Sequence, residues 1–124
     1  MKRILVVDDE ENIRTLYTEE FQDMGYEVTA VADGPQAVAA VETGPFDLVI
    51  LDMIMPGMGG GKAFAALREI DSGVKVILSS GYSVDGEARQ ILEKGCNSFI
   101  QKPFRVADIS KKIREVLENP SGKP

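Results

Sequence analysis

At 124 residues the chain has the size of one domain, long enough to bury its own core and too short for two ordinary ones. Hydrophobic residues at 44% and charged residues at 27% match soluble globular averages and argue against wholesale disorder and membrane residence. Against 14 Lys and Arg stand 20 Asp and Glu, a formal net charge of −6, so an extended nucleic-acid surface, which needs clustered bases to displace counterions, is not expected.

In chain order, Met1-Lys2-Arg3 ahead of Ile4-Leu5-Val6-Val7 mimics a signal peptide, but Asp8-Asp9-Glu10-Glu11 ends the apolar run after four residues. Export by that route is not expected, and Met1 just before the run suits a natural amino terminus. The run reads as a first strand. Ile13, Leu16, Tyr17, Glu20, Phe21 and Met24 then step by three and four as a first helix. Val28 to Val31 reads as a second strand, followed by a helix through Val38, Val41 and the neighbouring alanines. Leu48 to Leu51 precedes a helix carrying Phe64, Leu67 and Ile70; Val74 to Leu78 precedes one carrying Ala88, Ile91 and Leu92; Phe99-Ile100 precedes one carrying Ile109, Ile113, Val116 and Leu117. Gly25, Gly44, Gly73 and Gly95 each follow a helical stretch, where a left-handed residue closes a helix. The first and third runs are apolar throughout, as parallel strands covered on both faces are, and right-handed crossovers then give a doubly wound, three-layer α/β sandwich. Cys96 is the sole cysteine, so it reads as a small buried hydrophobe, with no internal disulfide, and a reducing cytoplasm fits. No run approaches the roughly 20 apolar residues of a membrane helix. The last residues, 119–124, hold chain breakers and no apolar side chain and read as a frayed end or the start of a linker.

Ligands of such sheets bind beyond the carboxyl ends of the strands. There the sequence sets Asp8 and Asp9 after the first strand, Asp52 after the third, Ser79, Ser80 and Gly81 after the fourth, and Lys102 with Pro103 after the fifth. Three neighbouring carboxylates raise one another's pKa unless a cation sits among them. Oxygen ligands without histidine or thiolate suit Mg²⁺ together with a phosphate, and Lys102 and Ser80 then add a positive charge and a hydroxyl. Taken singly each residue has a plainer explanation. Asp8 and Asp9 suit a helix cap, Asp52 a turn acid before Pro56-Gly57, Lys102 a surface position, Ser80 a loop, and Phe99 the core. Their joint placement is what points to phosphoryl transfer.

These residues resemble the receiver domain of bacterial response regulators, over about residues 2–118. The resemblance rests on Ile4-Leu5-Val6-Val7-Asp8-Asp9, on Leu48-Val49-Ile50-Leu51-Asp52-Met53-Ile54-Met55-Pro56-Gly57-Met58-Gly59-Gly60, on Ser80, and on Lys102-Pro103-Phe104. It implies a flavodoxin-like five-stranded parallel sheet in the order 2-1-3-4-5 with five helices, and a receiver domain over residues 1–118. Asp52 is then the phosphoacceptor, Asp9 and Asp52 hold Mg²⁺ directly, Asp8 acts through a water, and the Ile54 backbone carbonyl completes the protein ligands. Lys102 pairs with Asp52, while Ser80 and Phe99 switch the face formed by the fourth helix, fifth strand and fifth helix. The partners so implied are a histidine kinase or histidine phosphotransfer protein as donor and an unspecified downstream protein or output domain. The chain itself is expected as a cytoplasmic monomer or a phosphorylation-dependent dimer. With no histidine in the chain, the donor has to be separate.

Three positions depart from the usual pattern: Ser80 replaces a common threonine, Phe99 lacks the hydroxyl of the alternative tyrosine, and Ile54 cannot orient a hydrolytic water. The rival readings are a nucleotide-binding protein and a small Mg²⁺-dependent phosphatase. A P-loop aligned on Gly61-Lys62 meets Pro56 where its first glycine belongs and Ala63 where its hydroxyl belongs. A dehalogenase-like phosphatase wants a second acid at Ile54. A flavin protein of this architecture wants hydroxyl and amide donors where Asp8-Asp9-Glu10-Glu11 stands.

Overall fold

The structure, a computed structural model, describes residues 1–55, 57–81, 86–102 and 104–118. The expected tail at 119–124, Pro56 and Pro103 lie outside them. Strands and helices alternate as the periodicity predicts: β1 Arg3–Val7, α1 Glu11–Asp23, β2 Glu27–Val31, α2 Gly34–Thr43, β3 Leu48–Asp52, α3 Gly60–Ile70, β4 Lys75–Ser80, α4 Gly86–Glu93, β5 Ser98–Gln101 and α5 Val106–Glu118. All strand pairs are parallel and the sheet order is β2-β1-β3-β4-β5.

Strand alternation explains the layers. Leu5, Val7, Val49, Leu51, Val76 and Leu78 point into a core shared with Ala37, Val41, Phe64, Leu67 and Ile91 of α2, α3 and α4. Ile4, Val6, Leu48, Ile50 and Ile77 point the other way, against Tyr17 and Phe21 of α1 and Ile109, Ile113 and Val116 of α5. Central β3 is buried at every residue, whereas the edge strand β2 is half-exposed.

Arginine clasps close the amino ends of the strands. The Arg3 backbone N–H donates to Asp47 at 2.7 Å, and its guanidinium donates to the Pro45 carbonyl at 2.7 Å and pairs with Glu27 at 2.8 Å. Arg68 donates to the carbonyls of Val74 and Gly95 and to Asn97 Oδ1, at 2.8, 3.1 and 2.9 Å, tying α3 to the starts of β4 and β5.

Two expectations need correction. Ser79 and Ser80 do not follow the fourth strand but belong to it: Ser79 pairs with Asp52 and Ile100, and Ser80 with Gln101. β3 and β5 flank Ser79 and β5 flanks Ser80, so the ladder carries both serines into the strand. Of the four glycines expected to close helices left-handed, Gly25 and Gly95 do so at φ 95° and 106°, but Gly44 is extended and Gly73 is not in that region either.

The glycine run after β3 has a steric purpose. The Gly60 N–H donates to the Met53 carbonyl at 2.8 Å, and a Cβ at position 60 would stand 2.8 Å from Met53 Cα and 3.1 Å from its oxygen. Gly61, by contrast, would meet only Ile91 at 3.8 Å. Gly60→Ala is therefore expected to destabilise the fold by about 1–3 kcal/mol through backbone displacement. Gly61→Ala is expected to stabilise it by about 0.4–1 kcal/mol. Urea denaturation of both variants checks the opposite signs.

Candidate functional site

Register brings the predicted residues together. Val7 pairs with Leu51, Asp52 with Ser79, and Ser80 with Gln101, so Asp8, Asp52 and Lys102 emerge side by side at the carboxyl edge. Their even numbering continues Ile4 and Val6, Leu48 and Ile50, and Ile100, the residues of the layer under α1 and α5, so all three leave the sheet toward one side.

Asp8 is 1% exposed and held at every polar atom of its backbone and side chain. Its N–H donates to the Val31 carbonyl at 3.1 Å and its carbonyl accepts from Arg14 at 2.9 Å. Oδ1 accepts the Glu10 N–H at 3.0 Å, and Oδ2 accepts from Lys102 Nζ at 2.7 Å. The plainer reading of Asp8 and Asp9 as helix caps does not hold, since the N-cap of α1 is Glu10, without a side-chain cap bond. Asp9 is exposed at the lip of the site.

Asp52 closes β3 and is 6% exposed. Its Oδ1 accepts the Ile54 N–H at 3.3 Å, and its Oδ2 lies 3.5 Å from Lys102 Nζ. Lys102 thus bridges two buried carboxylates, hydrogen-bonded to Asp8 and paired at longer range with Asp52. Its backbone N–H donates to the Ser80 carbonyl at 2.7 Å, which ties the lysine to the end of β4. Burial, opposed by Lys102 and reinforced by Asp8, pushes the Asp52 carboxyl up to about 6. Burial also works against the Lys102 ammonium, but its hydrogen bond to Asp8 and the nearby Asp52 outweigh that and hold its pKa above the usual lysine value.

One carboxylate oxygen from each of Asp8, Asp9 and Asp52 falls within 4.8 Å of the others. Three carboxylates against one ammonium leave an excess of negative charge, and an all-oxygen donor set without histidine or thiolate fits a hard divalent cation such as Mg²⁺. Ser80 is buried at the end of β4, Phe99 is half-buried against the α2–α3–α4 core, and the Ile54 side chain is 54% exposed at the mouth. Lys62, the apparent P-loop lysine, is exposed in the first turn of α3. Cys96 is buried, its thiol pushed up to about 11 by burial.

Sequence reasoning missed two α1 side chains beside the site. Tyr17 stacks on Phe21 and Phe104, both at 5.5 Å, and burial together with Asp8, Asp52 and Glu10 raises its pKa. Arg14 reaches back to the Asp8 carbonyl. One signal was available for it: no other Lys or Arg occurs at positions 4–61.

The response regulator receiver domain family matches this chain over residues 4–114. The DNA-binding response regulator MtrA of Mycolicibacterium paratuberculosis is 32% identical over 123 residues, covering 99% of this chain and 54% of that protein. This chain therefore spans about half the length of that relative. Sporulation initiation phosphotransferase F of Bacillus subtilis is 34% identical over 116 residues, 94% of each. Among solved structures, response regulator TrrA of Thermotoga maritima, in complex with Mg²⁺ and BeF, superposes with a TM-score of 0.83 at 36% identity, over 93% of this chain and 98% of that one.

With a folded pKa of about 6, above the 3.8 of a free carboxyl, Asp52 binds more protons folded than unfolded between those values. Its ionisation therefore costs stability above that window and nothing below it. In chelator, Asp52→Asn is expected to melt higher than wild type at neutral pH, with the gap closing as pH falls through the window. Thermal melts across pH check this, and a pH-independent gap would contradict it.

Proposed function

The chain belongs to the response regulator receiver family, and on that footing we propose that it accepts a phosphoryl group on Asp52 from a phosphohistidine of a separate protein. The observation that carries the reading is the buried Asp52 carboxylate at a strand end, within 4.8 Å of two further acids and 3.5 Å from Lys102. An Asp52 oxygen attacks phosphorus as the donor's N–P bond breaks. The imidazole leaves with the electron pair, and the product is an acyl phosphate. Mg²⁺, held by Asp9 and Asp52, with Asp8 through a water and the Ile54 carbonyl, would neutralise charge on the phosphoryl oxygens. Lys102, 3.5 Å from Asp52, contributes a second positive charge, and Ser80 offers a hydroxyl. Burial in a low-dielectric crevice strengthens each of these interactions.

The proposed donor is a histidine kinase or histidine phosphotransfer protein, in the cytoplasm; no helix among the described residues is long and apolar enough to cross a membrane. Ser80 and Phe99, on β4 and β5, would couple the phosphoryl group to the α4-β5-α5 face. That face would then dock a downstream protein, an output domain or a second copy. Gly60, one of the glycines that suggested a nucleotide loop, instead lets α3 approach the Met53 backbone, which disfavours that rival. A phosphatase lacks its second acid at Ile54.

Incubation with Mg²⁺ and a small phosphodonor is expected to label wild type and leave Asp52→Ala unlabelled; label on the variant would sink the proposal. Ile54 stands at the mouth without a polar atom on its side chain, so slow loss of the phosphoryl group is expected. Ile54→Asn should shorten the half-life by about tenfold, ~1.4 kcal/mol of barrier. An unchanged half-life would remove Ile54 from the account.

A further inference from the structure

Asp8 and Asp9 are held very differently. Asp8 has a partner for its N–H, its carbonyl and both carboxylate oxygens, whereas among the described residues nothing pairs with the Asp9 carboxylate. The direction of Asp9 therefore depends on its backbone. The peptide plane that precedes it is the one whose carbonyl belongs to Asp8, and that carbonyl lies just beyond β1, where the ladder has ended. Its partner comes from Arg14, one turn into α1, at 2.9 Å. Arg14 is itself seated, because its N–H donates to the Glu10 carbonyl at 3.0 Å and its carbonyl accepts from Thr18 at 2.7 Å. The guanidinium thus locks the Asp8–Asp9 peptide to a rigid helix.

We propose that Arg14 is a positioning residue for the acid pair, orienting Asp9 toward the bound cation by holding the peptide between Asp8 and Asp9. This rests on the reading that the three acids hold a divalent cation. It departs from what charge alone dictates. A positive side chain near a cation site repels the ion, so by Coulomb's law its removal should tighten binding. Positioning predicts the opposite sign, because groups that orient ligands are each worth about 10–100-fold in metal affinity.

The test titrates Mg²⁺ into wild type, Arg14→Met and Arg14→Lys by calorimetry, after thermal melts confirm folding. Arg68→Met serves as a control, removing a guanidinium that clasps backbone at the far end of the strands. Methionine keeps the aliphatic stem and removes the donor; lysine restores a charged donor. Arg14→Met is expected to bind about tenfold more weakly, Arg14→Lys to recover part of that loss, and Arg68→Met to bind as wild type does. In chelator, the Asp9 amide resonance should move in Arg14→Met and stay in place in Arg68→Met. Equal or tighter binding by Arg14→Met overturns the proposal, as does a lysine variant no better than the methionine one. A wild type that binds no Mg²⁺ would instead defeat the cation reading of the acids.

Discussion

The Lys102 ammonium between two buried carboxylates, 2.7 Å from Asp8 and 3.5 Å from Asp52, is the contact on which the rest of the structure depends. Burying a carboxylate is costly unless it is paired and hydrogen-bonded. The Asp8 carboxylate meets that condition through the Glu10 N–H at 3.0 Å and Lys102 at 2.7 Å, whereas Asp52 has the same kinds of partner at 3.3 and 3.5 Å, and burial keeps its pKa raised. An acid left partly uncompensated in a crevice favours a cation beside it, and the proposed attack on phosphorus starts from that carboxylate. Keeping it there requires three strand ends in fixed register. The two apolar layers on either face of the sheet supply that rigidity.

Much of this was legible in the sequence because the signals were local. Five apolar runs with helical spacing between them gave the alternation, and residues at run ends gave Asp8, Asp52 and Lys102. Features set by tertiary contacts were not legible. Ser79 and Ser80 look like loop residues until β5, and for Ser79 also β3, offers a ladder. Gly44 and Gly73 resemble Gly25 and Gly95 in sequence position, yet only the latter two have the left-handed backbone. The preference of Lys102 for Asp8 over Asp52 depends on fractions of an ångström that no spacing rule carries.

Arg14 illustrates a further limit. Its partner is a backbone carbonyl, invisible to any search for paired side chains, and its helical spacing marks it only as lying beside the core-facing row. Charge isolation was the available clue, since it stands alone among the bases of positions 4–61. Ile54 was readable in the reverse sense. Its exposed apolar side chain offers no polar atom, which is the basis of the proposed slow loss of the phosphoryl group.

Acyl phosphates are reduced by borohydride to the alcohol, so an aspartyl phosphate becomes homoserine at the residue that carried it. Treating the phosphorylated protein with borohydride and sequencing its peptides by mass spectrometry therefore reads the acceptor directly. The account predicts homoserine at position 52 alone. Homoserine at position 8 or 9, or none in a protein that carries the label, would contradict it.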